Sequence, residues 1–117
     1  MPYIAHEFLI PHNTLPGAPI SNIYDLGINS RMIVELEVLI PDGHKGLAYL
    51  KIETPGRVLI PSAGSSVQWI RGNNASITTG TINAVLDGPP YQIICTGYNL
   101  DVFLDHSFLI NLTTAGG

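Results

Sequence analysis

The sequence predicts an all-β protein in which about eight short strands form one antiparallel β-sandwich with a jelly-roll-like arrangement. Three observations support this class. Apolar and polar residues alternate over short segments along the chain, and glycine, proline, asparagine or aspartate separates one segment from the next. Such alternation is typical of strands with one buried face, and no segment shows a sustained helical period.

The N-terminal region predicts one strand followed by an extended arm. The strand runs from Tyr3 to Ile10 and ends at Pro11. Residues 11–22 contain three prolines, which remove backbone donors and prevent a regular hydrogen-bond ladder. We therefore expect these residues to lie extended over a surface. The predicted organisation is an N-terminal strand and arm at residues 1–22 and a single sandwich domain at residues 23–117.

The clearest strand runs from Met32 to Ile40. Its apolar residues alternate with acidic ones, which predicts a sheet with one face in water. The apolar face is predicted to hold Val34, Leu36, Val38 and Ile40, and the opposite face Glu35 and Glu37. The next residues, Pro41-Asp42-Gly43, favour a tight turn. We therefore expect a hairpin that leads into a returning strand at residues 47–53.

Further strands are predicted at residues 57–60, 67–70, 76–79, 81–86, 91–98 and 107–113, with turn residues between them. The tripeptide Leu-Ile-Pro occurs three times, starting at Leu9, Leu39 and Leu59. We interpret it as a device that ends a strand, because two apolar residues complete the strand and proline cannot continue the ladder. Asp87-Gly88-Pro89-Pro90 predicts a break before the last two strands.

Composition favours association with other proteins. Hydrophobic residues make up 45% of the chain and charged residues only 12%, about half of the fraction that soluble domains usually carry. Because interface cores are depleted in charged residues, a low charge reduces the cost of bringing copies together. We expect a homo-oligomer, a dimer or a trimer, that also binds a larger protein.

The same composition argues against nucleic acid and membrane partners. The basic residues are scattered and form no phosphate-binding stripe; they are Arg31, Lys45, Lys51, Arg57 and Arg71. No apolar run approaches the ~20 residues that are needed to cross a bilayer. The N-terminus lacks the basic and apolar regions of a secretory signal, so we expect synthesis in a cytoplasm without a signal peptide.

No residue pattern predicts an enzyme, a cofactor or a metal site. Consecutive strand residues point to opposite faces, so Asp105, His106 and Ser107 are not expected to converge as a hydrolase triad. Cys95 lies within an apolar strand, which predicts a buried thiol rather than a nucleophile. None of the four histidines has metal-ligand spacing. If any histidines bind a metal, His44 and His106 are the best candidates.

A turn-rich pattern between residues 34 and 112 resembles small β-sandwich proteins of tailed-bacteriophage particles. The residues that carry this resemblance are Ile40-Pro41-Asp42-Gly43-His44-Lys45-Gly46, Leu59-Ile60-Pro61-Ser62, Trp69-Ile70-Arg71-Gly72, Pro90-Tyr91, Asn99 and His106. The resemblance implies a virion structural protein without catalytic residues. It would be a capsid decoration (cement) subunit, or else a small tail or fibre component, made in the host cytoplasm and located in the virion.

Two sets of residues are candidate contacts. The N-terminal strand and arm offer apolar side chains to a neighbouring subunit or a shell protein, namely Ile4, Phe8, Leu15 and Ile20. Strand addition to an exposed sheet edge would also pair their backbone. The alternative function is a carbohydrate- or receptor-binding module with a stacking platform made of Trp69, Tyr49, Tyr91 and Tyr98. Packing within the domain is the competing interpretation of these aromatic residues.

Overall fold

Nine strands form two antiparallel sheets in the part of the chain that the structure describes. The computed structural model describes residues 3–27, 31–55, 57–61, 68–86 and 91–115. The strands are β1 (Tyr3–Ile10), β2 (Ile20–Asp25), β3 (Met32–Ile40), β4 (Ala48–Thr54), β5 (Arg57–Ile60), β6 (Ala75–Thr78), β7 (Ala84–Val85), β8 (Gln92–Asn99) and β9 (His106–Ala115). The predicted all-β antiparallel sandwich is confirmed, and the jelly-roll arrangement stays a prediction.

The last two strands of the chain occupy interior positions in the sheets. The first sheet has the order β1-β9-β3-β6, with β7 also paired to β3, and the second has the order β2-β8-β4-β5. β8 and β9 therefore have a neighbour on each side, whereas β1 and β2 are edge strands among the described residues. The described residues contain no helix that is long and apolar enough to cross a bilayer.

Alternate residues of the strands build one core between the two sheets. The fully buried side chains of the first sheet include Phe8, Ile33, Leu36, Phe108, Ile110 and Leu112, and those of the second include Leu50, Ile52 and Ile93. Removing one such side chain from water contributes about 1.5–3 kcal/mol. The prediction for the Leu-Ile-Pro tripeptides is also confirmed. β1, β3 and β5 end at Ile10, Ile40 and Ile60, each buried and each followed by proline.

A β-bulge changes which residues of β3 face the core. The register of β3 on β9 shifts between Ile33 and Glu35, so Val34 is the extra residue and has no partner in the ladder. Ile33 and Leu36 are both fully buried, whereas Val34 is only half-buried. The prediction that Val34 shares the apolar face with Leu36 is therefore wrong, because a bulge moves the residues before it to the other face.

The chain segment after β3 is a crossing between the sheets and not a hairpin. β3 pairs with β9, β6 and β7, whereas β4 pairs with β8 and β5. Gly43 has a φ of 104°, as expected in a tight turn. The predicted hairpin is nevertheless wrong, because turn residues specify a reversal of the chain but do not specify that the next strand stays in the same sheet.

Three further expectations are corrected in part. Residues 11–22 do not all lack a regular ladder, because β2 begins at Ile20, directly after the last proline of the segment. The strand predicted at 67–70 is reduced to one bridge between Ile70 and Leu50, and Val67 lies outside the described residues. The strand predicted at 81–86 is reduced to β7. The predicted break at 87–90 also lies outside the described residues.

Candidate protein-binding site

An exposed apolar loop connects β8 to β9 at one end of the sandwich. Its members are Leu100, Val102, Phe103 and Leu104, with exposed fractions of 39%, 55%, 84% and 59%. We call these four residues the apolar tip. Single exposed apolar residues are common on soluble proteins, but a contiguous exposed patch marks an interaction surface. The apolar tip is therefore the candidate functional site.

Asp101 holds the backbone of the apolar tip in one conformation. Its Oδ1 atom accepts hydrogen bonds from the backbone N–H groups of Phe103 at 2.9 Å and Leu104 at 3.1 Å. Its Oδ2 atom accepts a hydrogen bond from Nε2 of His106 at 2.9 Å. The N–H group of Phe103 and the His106 ring lower the pKa of Asp101, because both stabilise the carboxylate. An ionised Asp101 thus fixes the loop.

Asn99 anchors the start of the loop from inside the core. Its side chain is fully buried. Nδ2 donates hydrogen bonds to the carbonyl oxygens of Ile10 at 3.2 Å and Leu104 at 3.0 Å, and Oδ1 accepts one from the N–H group of Asp101 at 2.9 Å. The backbone of Asn99 also pairs with Thr14. The apolar tip is therefore tied to β1 and to the segment that follows β1.

Two buried imidazoles lie beneath the loop. The ring centroids of His44 and His106 are 4.6 Å apart, and the rings of Phe108 and His44 are in a T-shaped arrangement with centroids 4.9 Å apart. Nε2 of His44 donates to the carbonyl oxygen of Ser107 at 2.8 Å, while its Nδ1 is buried without a hydrogen-bond partner among the described residues. Burial lowers the pKa of His44 more than the hydrogen bond to Ser107 raises it. A neutral His44 fits this arrangement.

The two histidines that are the best candidates for a metal site, His44 and His106, lie side by side in the structure. Too few other metal-binding side chains among the described residues surround them. In the described part of the chain, no group of three or more His, Cys, Asp or Glu side chains is arranged to hold a metal ion. Asp105, the neighbour of His106, instead accepts a hydrogen bond at 2.7 Å from Nδ1 of His12. Burial raises the pKa of the Cys95 thiol to about 12, so this thiol is protonated and unreactive at neutral pH.

Three of the four predicted platform residues form one aromatic cluster on the outer face of the second sheet. Tyr49 stacks on Tyr98 with ring centroids 4.4 Å apart, and Trp69 and Tyr98 are in a T-shaped arrangement with centroids 5.1 Å apart. Tyr91 is not in this cluster, because it precedes β8 while Tyr98 is near the end of β8. Seven residues of strand separate the two by about 23 Å. Tyr91 instead lies beside Arg31.

Cations cover the rings of this cluster. The guanidinium of Arg71 lies 5.3 Å from the ring centroid of Tyr49 and donates a hydrogen bond to its hydroxyl group. Nζ of Lys51 lies 4.9 Å from the ring centroid of Trp69. Such cation–π contacts occupy the ring faces that a sugar would stack on. The cluster therefore has the features expected of packing within the domain, which was the competing interpretation.

The four apolar residues predicted to contact a partner have different environments. Phe8 is fully buried because β1 pairs with β9 and directs its alternate residues into the core. It offers no surface to another subunit. Ile4 and Ile20 are half-buried against the same core, and Leu15 is exposed.

The sequence interpretation missed the apolar tip, since it treated residues 99–105 only as a connection between strands. The available signal is Val102-Phe103-Leu104, a run of apolar residues flanked by Asp101 and Asp105. Three consecutive apolar residues in an exposed loop are unfavourable because they remain in contact with water. Such a run therefore indicates a function.

Replacing Trp69 with alanine is expected to lower the free energy of unfolding by about 2 kcal/mol, because the half-buried ring contributes apolar burial and ring contacts. Urea denaturation measures this loss. The exposed neighbour Gln68 provides the control, and Gln68→Ala should leave stability unchanged. The alternative sugar platform predicts a different result, namely that Trp69→Ala keeps full stability and loses glycan binding.

Comparison with models of known protein families gives no match to this chain, and no curated protein matches it either.

Proposed function

We propose that this chain is a non-enzymatic structural subunit of a virion, a capsid decoration (cement) protein that binds sister copies and the larger shell protein. The virion assignment rests on the resemblance of its turn-rich pattern to small sandwich proteins of tailed-bacteriophage particles. The observation that carries the binding function is the apolar tip, in which the Phe103 ring is 84% exposed.

The chemistry of the apolar tip suits binding to a protein. Large aromatic side chains that enter a pocket supply much of the binding energy in protein interfaces. Phe103 is the most exposed large apolar side chain among the described residues. Its loop is already ordered by Asp101 and Asn99, so binding costs little conformational entropy. The partner surface that fits is an apolar pocket on the shell protein.

Replacing Phe103 with serine tests this function. The variant should fold normally, because the wild-type ring contacts solvent, but its affinity for shells should fall by at least about tenfold, or ~1.4 kcal/mol. Empty shells assembled from candidate shell proteins of tailed bacteriophages are mixed with the protein and sedimented through a sucrose gradient. The amount of protein that travels with the shells is then measured.

Val85→Ser is the matched control, since Val85 is an exposed apolar residue on β7 and not in the loop that connects β8 to β9. It should bind shells as the wild type does. Equal binding by the Phe103→Ser variant would show that the apolar tip is not the contact. Failure of the wild-type protein to sediment with any of these shells would overturn the proposed function itself.

A further inference from the structure

We infer that sister copies associate through opposite faces of the sandwich, with the basic aromatic face of one copy on the acidic face of the next. This inference rests on the proposed function, because it specifies how the subunit binds its own copies. The basic aromatic face is defined by Tyr49, Lys51, Trp69 and Arg71, and the acidic face by Glu7, Glu35 and Glu37.

The acidic face is the outer surface of the first sheet. Glu7 lies on β1 and Glu35 and Glu37 lie on β3. The strands of this sheet, β1, β3, β6, β7 and β9, contain no lysine or arginine. In the part of the chain that the structure describes, the glutamates on β3 accept hydrogen bonds only from neutral groups, such as the hydroxyl of Thr78 at 3.1 Å and the hydroxyl of Ser76 at 3.2 Å. Their negative charge is not neutralised within the sheet.

The basic aromatic face is the outer surface of the second sheet. Lys51 is on β4 and lies over the Trp69 ring, and Arg71 lies over the Tyr49 ring. Among the described residues, both ion pairs with a carboxylate involve histidine. In the described part of the chain, Lys51 and Arg71 therefore have aromatic neighbours but no carboxylate within ion-pair distance. The same outer surface also carries Glu53 on β4 and Asp25 on β2, so its basic character is confined to the part around Lys51 and Arg71.

The difference in charge between the acidic face and the basic aromatic face determines which faces of two copies meet. The outer surfaces of the two sheets point in opposite directions. If two acidic faces met, the glutamates of both copies would repel one another, and two basic aromatic faces would bring the cations of both copies together. Complementary charge favours the basic aromatic face of one copy against the acidic face of another, which steers association and suppresses the wrong orientation. This contact is heterologous, and a heterologous contact closes into a ring or continues as a stack.

Both faces are large enough for a stable interface. The molecule measures 44 × 26 × 25 Å, so either face exceeds the roughly 800 Å² that one partner buries in an interface of standard size. Tyrosine, tryptophan and arginine are enriched in interfaces, and the basic aromatic face contains all three. A stack of subunits joined in this way would leave the apolar tip of each copy, which lies at the end of the sandwich, free to bind the shell.

Two charge reversals, Lys51→Glu and Glu37→Lys, test the inference in size-exclusion chromatography with light scattering. Each variant alone should associate at least about tenfold more weakly than the wild type, and added salt should weaken the wild-type oligomer. An equimolar mixture of the two variants should associate again, because each retains the intact face that the other needs. Arg31→Glu, which makes the same change of charge before β3, should keep the wild-type mass.

The outcomes distinguish a failure of the opposite-face contact from a failure of the proposed function. If either reversal keeps the wild-type mass, or if the mixture stays as light as its components, the opposite-face contact is wrong. If the wild type is monomeric but sediments with shells through Phe103, this inference fails and the proposed function stands. If the copies associate with this charge pattern but bind no shell, the inference stands and the proposed function fails.

Discussion

Replacing Gly97 with alanine is expected to destabilise the protein by more than about 3 kcal/mol, a large share of the ~5–15 kcal/mol that holds a domain folded. Gly97 is a buried residue of β8. A Cβ atom there would lie 2.5 Å from the carbonyl oxygen of Tyr49, 2.5 Å from Cδ1 of Ile10 and 3.3 Å from Cε2 of Phe8. The Ile10 side chain is able to rotate away, but the carbonyl belongs to the neighbouring strand β4. The two strands would have to separate.

Urea denaturation of the Gly97→Ala variant measures this effect, with circular dichroism as a check on the fold. Gly17→Ala is the control, because a Cβ atom at Gly17 meets no atom within 4 Å and its φ is not in the left-handed region. This control should change stability by less than about 1 kcal/mol. If the two alanine variants unfold at the same urea concentration, β4 and β8 do not pack as closely as described.

Replacing Asn99 with aspartate is expected to destabilise the protein by about 3–5 kcal/mol at neutral pH. The two side chains have the same shape, so packing is unchanged. Nδ2 of Asn99 donates to the carbonyl oxygens of Ile10 and Leu104, and a carboxylate oxygen in its place would repel both. The variant would therefore bury a charge and leave two acceptors without a donor.

The destabilisation by Asn99→Asp should depend on pH in a defined direction. Burial beside two carbonyl oxygens raises the folded-state pKa of the new carboxyl group above its unfolded value of about 3.9. The loss relative to the wild type is then complete above the folded-state pKa and becomes smaller as the pH falls, because the protonated acid again donates a hydrogen bond. Denaturation at pH 7 and pH 4.5 compares the two conditions. Asn74→Asp, at an exposed position, should cost nothing measurable at either pH, and a constant loss for Asn99→Asp would contradict the hydrogen bonds assigned to Nδ2.

Local chemistry explains which parts of the fold the sequence predicts. The Leu-Ile-Pro tripeptides end three strands as expected, because proline acts on its own position and the residue before it. The core face of β3 was only partly predictable, since the bulge at Val34 depends on pairing with β9, about eighty residues later in the chain. The predicted hairpin after Ile40 failed for the same reason. Its turn is local, but the choice of sheet for β4 depends on β8.

The candidate site was less predictable than the fold. An exposed apolar residue is identified by the absence of packing contacts around it in the folded protein. The sequence alone does not contain this information. Phe8 and Phe103 illustrate this point, because both are phenylalanines near polar residues, yet Phe8 is buried in the core and Phe103 is 84% exposed. The alternation of β1 predicts the burial of Phe8 once β1 is an edge strand of the sandwich. Only the folded loop shows that Asp101 and Asn99 hold Phe103 outward.

The interior positions of β8 and β9 also determine when this protein folds during its synthesis. β1 and β3 pair with β9, and β2 and β4 pair with β8, so the principal neighbours of these four strands are translated after them. A ribosome that has completed residue 86 carries a chain with apolar strands and unpaired edges, and such chains aggregate readily. The low charge of this sequence gives it little electrostatic protection at that stage. Completion of both sheets therefore waits until residues 92–115 have left the ribosome, and we expect a chain truncated before residue 92 to be insoluble.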